Sequence, residues 1–133
     1  WFTYLEETKI KNILGDLKDQ DAIFLKSQDL KLGDSRIVKN KEAIIKLVAH
    51  YIVNEKNQQG LPINNVSRFH LGNGAIVDDI IVNANISETG FKRSFGVMVN
   101  YLYELKNIEK NHEDYMNNNK TTVSNKIKKY LNN

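Results

Sequence analysis

The chain contains no cysteine, so it can form no disulfide framework and offers no thiolate as a nucleophile or metal ligand. Long apolar runs are also missing. Ile80-Ile81-Val82 and Leu47-Val48-Ala49 fall far short of the roughly 20 residues a membrane-spanning helix needs, so a soluble protein with no membrane partner is expected. Arginine is scarce: Arg36, Arg68 and Arg93 are scattered and make no basic cluster, and a net charge of +3 announces no nucleic-acid surface. The histidines His50, His70 and His112 show no metal-ligand spacing. The chain opens on Trp1-Phe2 with no initiator methionine or signal-like segment, which reads as the start of a fragment. Its 133 residues, 41% of them hydrophobic, suit one domain with a single modest core, expected in a cytoplasmic or organellar interior.

Apolar periodicity supplies most of the organisation. Phe2, Leu5, Ile10, Ile13, Leu14 and Leu17 recur at helical spacing and predict a helix over residues 1 to about 18. Leu25, Leu30 and Leu32 suggest a short helix running into a turn at Gly33-Asp34-Ser35. Ile44, Ile45, Leu47, Val48, Tyr51 and Ile52 form a wide stripe that predicts a helix from Lys41 to about Asn54, and Asn57 to Gly60 end it. Val66–Leu71 and Ile76–Val82 are β-rich runs joined through Gly72-Asn73-Gly74, which predicts a hairpin or bent strand pair. A short helix over Ser87–Ser94 and a strand over Val97–Tyr103 follow. The chain then turns polar, with a low-complexity patch at Asn117-Asn118-Asn119-Lys120. Val123, Ile127, Tyr130 and Leu131 mark a C-terminal helix whose lysines lie on its wet side.

His70 is the residue best suited to chemistry. In an extended segment Val66, Arg68 and His70 share one face, with Ser67, Phe69 and Leu71 on the other. The glycines at 72 and 74 let the backbone approach a ligand closely, and Asn73 offers a side-chain amide between them. A proton-transfer site is one reading; a tight turn with a partly buried histidine is the other. Tyr101 and Tyr103 share a strand face, as a stacked core pair or with one phenol reaching the site. His50 and His112 read as structural. Lys92 and Arg93 could touch phosphates or form a solvated charged face.

Ser67-Arg68-Phe69-His70-Leu71-Gly72-Asn73-Gly74-Ala75 resembles the signature block of malonyl-CoA decarboxylases. Gly96-Val97-Met98-Val99-Asn100-Tyr101-Leu102-Tyr103 resembles the family's second block, and Ile108-Glu109-Lys110-Asn111-His112-Glu113 the segment after it. Leu47-Val48-Ala49-His50-Tyr51 with Glu55-Lys56 is similar to the helix upstream. The resemblance implies an α+β, GNAT-like mixed sheet flanked by helices, of which residues 1–133 are the C-terminal part of one catalytic domain. It makes His70 the catalytic histidine and Tyr103 the active-site tyrosine; the reading of the glycine turn adds Asn73 and Gly74 as substrate contacts. The family's catalytic serine lies in a Ser-Pro-Ile-Pro-Gly-Phe motif that has no counterpart here, and none of Ser27, Ser35, Ser67, Ser87, Ser94 or Ser124 takes its role. That implies a partner in the missing N-terminal part of the same protein, upstream of Trp1. Asn85 stands where relatives carry an acid, and an amide cannot orient a group as an anion.

The activity so implied is decarboxylation of malonyl-CoA to acetyl-CoA and carbon dioxide, with no cofactor beyond the coenzyme A in the substrate itself. Loss of carbon dioxide leaves an enolate, which hydrogen-bond donors stabilise by about 3–4 kcal/mol each; the turn amides and His70 are suitable donors. A histidine coupled to a serine hydroxyl can then deliver the proton to C2. Two other readings compete: a coenzyme A-dependent acyltransferase of similar fold, and a non-catalytic module that binds nucleic acid or protein, which the scattered arginines disfavour. A homo-oligomer is compatible with either enzymatic reading.

Overall fold

The computed structural model describes residues 7–14, 35–94 and 96–131. The expected short helix at Leu25–Leu32 and the turn at Gly33 lie outside them, as do both ends of the predicted first helix, whose described part is α1 (Glu7–Leu14). Next come α2 (Ser35–Lys39), α3 (Lys41–Asn54), α4 (Asn65–Gly72), β1 (Ile76–Ile81), α5 (Glu88–Ser94), β2 (Met98–Leu102), α6 (Ile108–Asn118) and α7 (Asn125–Leu131).

The centre is α3, within its predicted bounds. Ile44, Ile45, Leu47, Val48, Ala49, Tyr51 and Ile52 are all buried, because an apolar stripe this wide has neighbours on several sides. It packs against α1, α2, α7 and β1, and Ile10, Leu14, Ile37, Val77, Ile80 and Ile127 are among the residues of the core around it. Beyond its end Asn57 Oδ1 accepts from the amides of Gln59 (2.9 Å) and Leu61 (3.0 Å). The chain doubles back so that Lys56 bridges Pro62.

Two expectations are overturned in the next segment. Residues 65–72 form a helix, and β1 pairs not with them but antiparallel with β2. The Asn64 side chain caps the helix by accepting from the Ser67 amide at 2.9 Å, supplying an N-terminal donor with the partner it otherwise lacks. Ser67 and Leu71, one helical turn apart, are its buried residues, whereas β-prone Val66 and Phe69 point outward. Burial of that i, i+4 pair outweighs the strand propensity of Val66, Phe69 and Leu71.

The sheet is small. Val77 stands opposite Tyr101 and Ile80 opposite Val99, with a bulge at Asp78 between them. Without the extra residue Val77 and Ile80 would face opposite ways; with it both enter the core. On the other edge of β1 the Val77 amide donates to the Thr122 carbonyl (3.0 Å) and the Ser124 amide to the Val77 carbonyl (2.9 Å), so residues 122–124 add a short parallel bridge. Helix α6, which the sequence reading treated as polar chain, rests on buried Asn111 and Tyr115 and ends on Asn119 at φ +52.

Candidate active site

Helical geometry moves Ser67 and His70 from opposite faces onto one side of α4, three residues apart. That side meets β2. Alternation along β2 buries Val99 and Tyr101 in part and leaves Met98, Asn100 and Leu102 outward; Tyr103, just past the strand's end, reaches the same side as Tyr101. The His70 imidazole lies nearly flat on the Tyr101 ring, with centroids 4.4 Å apart and planes inclined by 18°. Its Nδ1 is 2.6 Å from the Tyr103 hydroxyl. Tyr103 is 41% exposed and Phe69, edge-on to His70, is 65% exposed, so the cluster opens toward solvent.

Beneath it, Ser67 is fully buried. Its Oγ lies 2.7 Å from the Tyr101 hydroxyl and donates to Asn64 Oδ1 at 3.2 Å. Burial pushes the Tyr101 phenol above its ordinary pKa, opposed by the Ser67 hydrogen bond, so Tyr101 is a neutral phenol. Arg68 Nη1 donates to the carbonyls of Pro62 and Ile63, both at 2.9 Å, and ties the start of α4 to the preceding loop.

The end of α4 is held from α6. His112 Nδ1 donates to the Gly72 carbonyl (2.6 Å) and Asn111 Nδ2 to the buried Gly74 carbonyl (3.1 Å). Gly74 has φ +89, and a Cβ there would collide with the Ile108 carbonyl. The expected role of the glycine turn therefore changes. The amides of Asn73, Gly74 and Ala75 donate to carbonyls of Phe69, His70 and Leu71 and close the helix, so they are not donors held ready for an enolate. Gly74 is needed for close packing under α6, and Asn73 caps α4 with its residue exposed.

Tyr101 and Tyr103 are not merely a stacked core pair: one supports His70 and the other bonds it. His50 Nε2 donates to the Tyr130 carbonyl (3.2 Å) while Nδ1 accepts from Asn54 (2.9 Å), a structural pairing of the neutral ring. His112 is also structural. The side chains of Lys92 and Arg93 lie outside the described residues. Asn85 Oδ1 accepts from the Ser87 amide (3.2 Å) and hydroxyl (2.7 Å), work an amide does as well as an acid. The sequence reading missed Ser67 and Tyr101 as partners of His70; Asn64 ahead of the run and Asn73-Gly74 after it were the helix-end signals that would have aligned them. Among the described residues no group of three or more acidic, histidine or cysteine side chains could hold a metal ion.

Residues 2–133 match the family model described as the malonyl-CoA decarboxylase C-terminal domain. The chain is 36% identical over 84 residues to "Malonyl-CoA decarboxylase, mitochondrial" of Rattus norvegicus, covering 63% of this chain and 17% of that protein. With the protein of the same name from Anser anser anser it shares 31% identity over 116 residues, 86% of this chain and 23% of that one. The solved malonyl-CoA decarboxylase from Rhodopseudomonas palustris superposes with a TM-score of 0.75 at 33% identity, over 82% of this chain and 25% of its own. That from Agrobacterium vitis gives 0.77 at 27%, over 90% and 29%. The α+β, GNAT-like class expected from the sequence holds, and the chain spans a minor part of each relative's length.

Proposed function

We propose, because this chain belongs to the malonyl-CoA decarboxylase C-terminal domain family, that it supplies His70 and Tyr103 to the conversion of malonyl-CoA into acetyl-CoA and carbon dioxide. The observation that carries this is the 2.6 Å hydrogen bond between His70 Nδ1 and the Tyr103 hydroxyl at a solvent-facing edge. With Nδ1 so engaged, Nε2 is the nitrogen that remains for a substrate.

Cleavage of the bond between C2 and the carboxylate carbon leaves the electron pair on C2, delocalised into the thioester oxygen, as carbon dioxide departs. In the protonated imidazole Nδ1–H donates to the Tyr103 oxygen, and Nε2–H is the donor to the enolate and then the acid toward C2. After transfer His70 is neutral, and Nε2 takes its next proton from water or from a hydroxyl. A phenol suits this cycle because its oxygen accepts from Nδ1–H in both the charged and the neutral ring. Exposed Asn73, at the end of α4, is a contact to the substrate. The serine that shares the proton comes from the part of the protein preceding Trp1, so residues 1–133 work as the C-terminal part of one catalytic domain. Coenzyme A enters only as part of the substrate. The vertebrate relatives named as mitochondrial support an organellar matrix as the compartment, and no helix among the described residues is long and apolar enough to cross a membrane.

The test is malonyl-CoA turnover by the full-length protein carrying His70→Asn, normalised to folded molecules, with thermal unfolding alongside. Asn keeps a donor of similar size but cannot titrate, so kcat should fall by about 10² to 10⁴ with little change in KM or melting temperature. Wild-type turnover with a lowered melting point would refute the assignment. Product analysis separates the acyltransferase alternative, since only a decarboxylase releases carbon dioxide and acetyl-CoA without an acceptor.

A further inference from the structure

A single hydrogen bond does not orient an imidazole. The bond from Nδ1 to Tyr103 fixes one point of the His70 ring but leaves rotation about that axis, and the torsion joining a histidine ring to its Cβ is broad and roughly two-fold. The direction of Nε2 is set only when the plane is also fixed. Tyr101 does this: its ring lies 4.4 Å beneath the imidazole at 18°, whereas Tyr103 and Phe69 meet it edge-on, at 68° and 75°.

Tyr101 is itself held. Its hydroxyl is 2.7 Å from Ser67 Oγ, and that serine is buried and locked by two contacts to Asn64 Oδ1, from its amide (2.9 Å) and its hydroxyl (3.2 Å). The Ser67 hydroxyl has one hydrogen. With it on Asn64, Tyr101 donates to Ser67, and the cap of α4, the serine and the phenol form one chain of hydrogen bonds ending under His70. Across the sheet Tyr101 stands opposite Val77, in a strand pair that is part of the core, so the platform is anchored on both elements that flank the site.

We propose that Tyr101 is a positioning residue that fixes the plane of the His70 imidazole, and that Ser67 fixes Tyr101. Neither touches the substrate; both act through His70, and the proposal rests on the reading of His70 as the proton-transfer group.

The experiment is a set of double-mutant cycles in the full-length protein, reading kcat and KM for malonyl-CoA and thermal unfolding. The variants are Tyr101→Leu, Tyr101→Phe and Ser67→Ala, each made in the wild-type and His70→Asn backgrounds. Misplacement of a reacting group by about 1 Å can cost about 100-fold, so Tyr101→Leu should lower kcat by roughly 10- to 100-fold with KM within about twofold. Tyr101→Phe keeps the ring but loses its bond to Ser67, as Ser67→Ala does, so both should recover part of that loss and fall between Tyr101→Leu and the wild type. In the His70→Asn background none of the three should lower turnover further, because there is no imidazole left to orient. A purely structural role would give the same loss in both backgrounds. Wild-type kcat for both Tyr101→Leu and Ser67→Ala, or losses that persist undiminished beside His70→Asn, would overturn the proposal. Should Tyr101→Leu fail to fold, the Ser67→Ala cycle decides by itself, since it removes one hydroxyl. The His70→Asn single variant separates the two levels: if its turnover is unchanged the reading of His70 fails, and if it is lowered while Ser67→Ala and Tyr101→Leu are not, only the platform fails.

Discussion

Helices α3 and α4 solve the same problem, how to hold a helix in place, by opposite means. Seven of the fourteen residues of α3 are buried, nearly all of them apolar, and the few polar contacts of the helix, such as His50 to the Tyr130 carbonyl, lie outside that stripe. Helix α4 buries only Ser67 and Leu71 and is held by polar contacts: Asn64 at its start, Arg68 to the preceding loop, Ser67 to Tyr101, and Asn111 and His112 at its far end. Apolar burial is strong but non-directional, while hydrogen bonds are modest in net energy and specify angle. A helix that must leave one side open for chemistry cannot bury that side. It substitutes directional contacts, and so His70 stands on the helix with the smaller apolar contribution.

The difference can be broken from either side. The largest effect on stability is expected at Leu47, fully buried at the centre of α3. Leu47→Ala should cost about 2–5 kcal/mol, the lost transfer energy plus the cavity, and leave turnover per folded molecule unchanged. Chemical denaturation and kinetics on the same sample check it; a fall in kcat at constant folded fraction would mean that α3 and the site are coupled.

The next effect belongs to the end of α4. Gly74→Ala forces a side chain onto a backbone at φ +89 and into the Ile108 carbonyl, so α6 must shift. Strain of this kind costs about 1–3 kcal/mol. Here stability and turnover should fall together, because Asn111 and His112, which fix the turn after His70, ride on α6. Loss of stability with wild-type kcat would show that the α6 clasp does not position the site.

The same contrast explains what the sequence disclosed. Helix α3 was legible to its ends because its signal is apolar periodicity, which a sequence displays directly. Helix α4 looks like a strand in sequence because its outward residues, Val66 and Phe69, are β-prone, and what makes it a helix is a cap at Asn64 and a buried serine, both polar. Helix α6 was passed over for the same reason: its buried pair is Asn111 and Tyr115 in an otherwise polar segment. The pairing of His70 with Tyr103 came from resemblance alone. Ser67 is hidden by the strand reading, which sets it on the far side of the chain from His70, and Tyr101 stands there only as one of two phenols that share a strand face.

The smallest effect tests whether a polar contact in the α3 region carries weight. His50, on α3, bonds the Tyr130 carbonyl of α7 through Nε2 and receives Asn54 at Nδ1, an arrangement that requires the neutral ring. Burial lowers its pKa, the Tyr130 carbonyl works against that, and Lys46 adds to the lowering. A histidine depressed in the folded state contributes stability that is fully present above its unfolded value of about 6.5 and is lost as pH falls through the lower folded value. Between pH 7.5 and 5.5 the wild-type chain should therefore lose stability that His50→Gln does not, since glutamine can donate to the same carbonyl but cannot titrate. The ring is only half-buried, so solvent screening keeps the difference below about 1 kcal/mol. Paired urea titrations at the two pH values measure it. If both proteins lose stability equally, the acid sensitivity lies elsewhere, and the His50 contact adds nothing measurable to the apolar burial that seats α3.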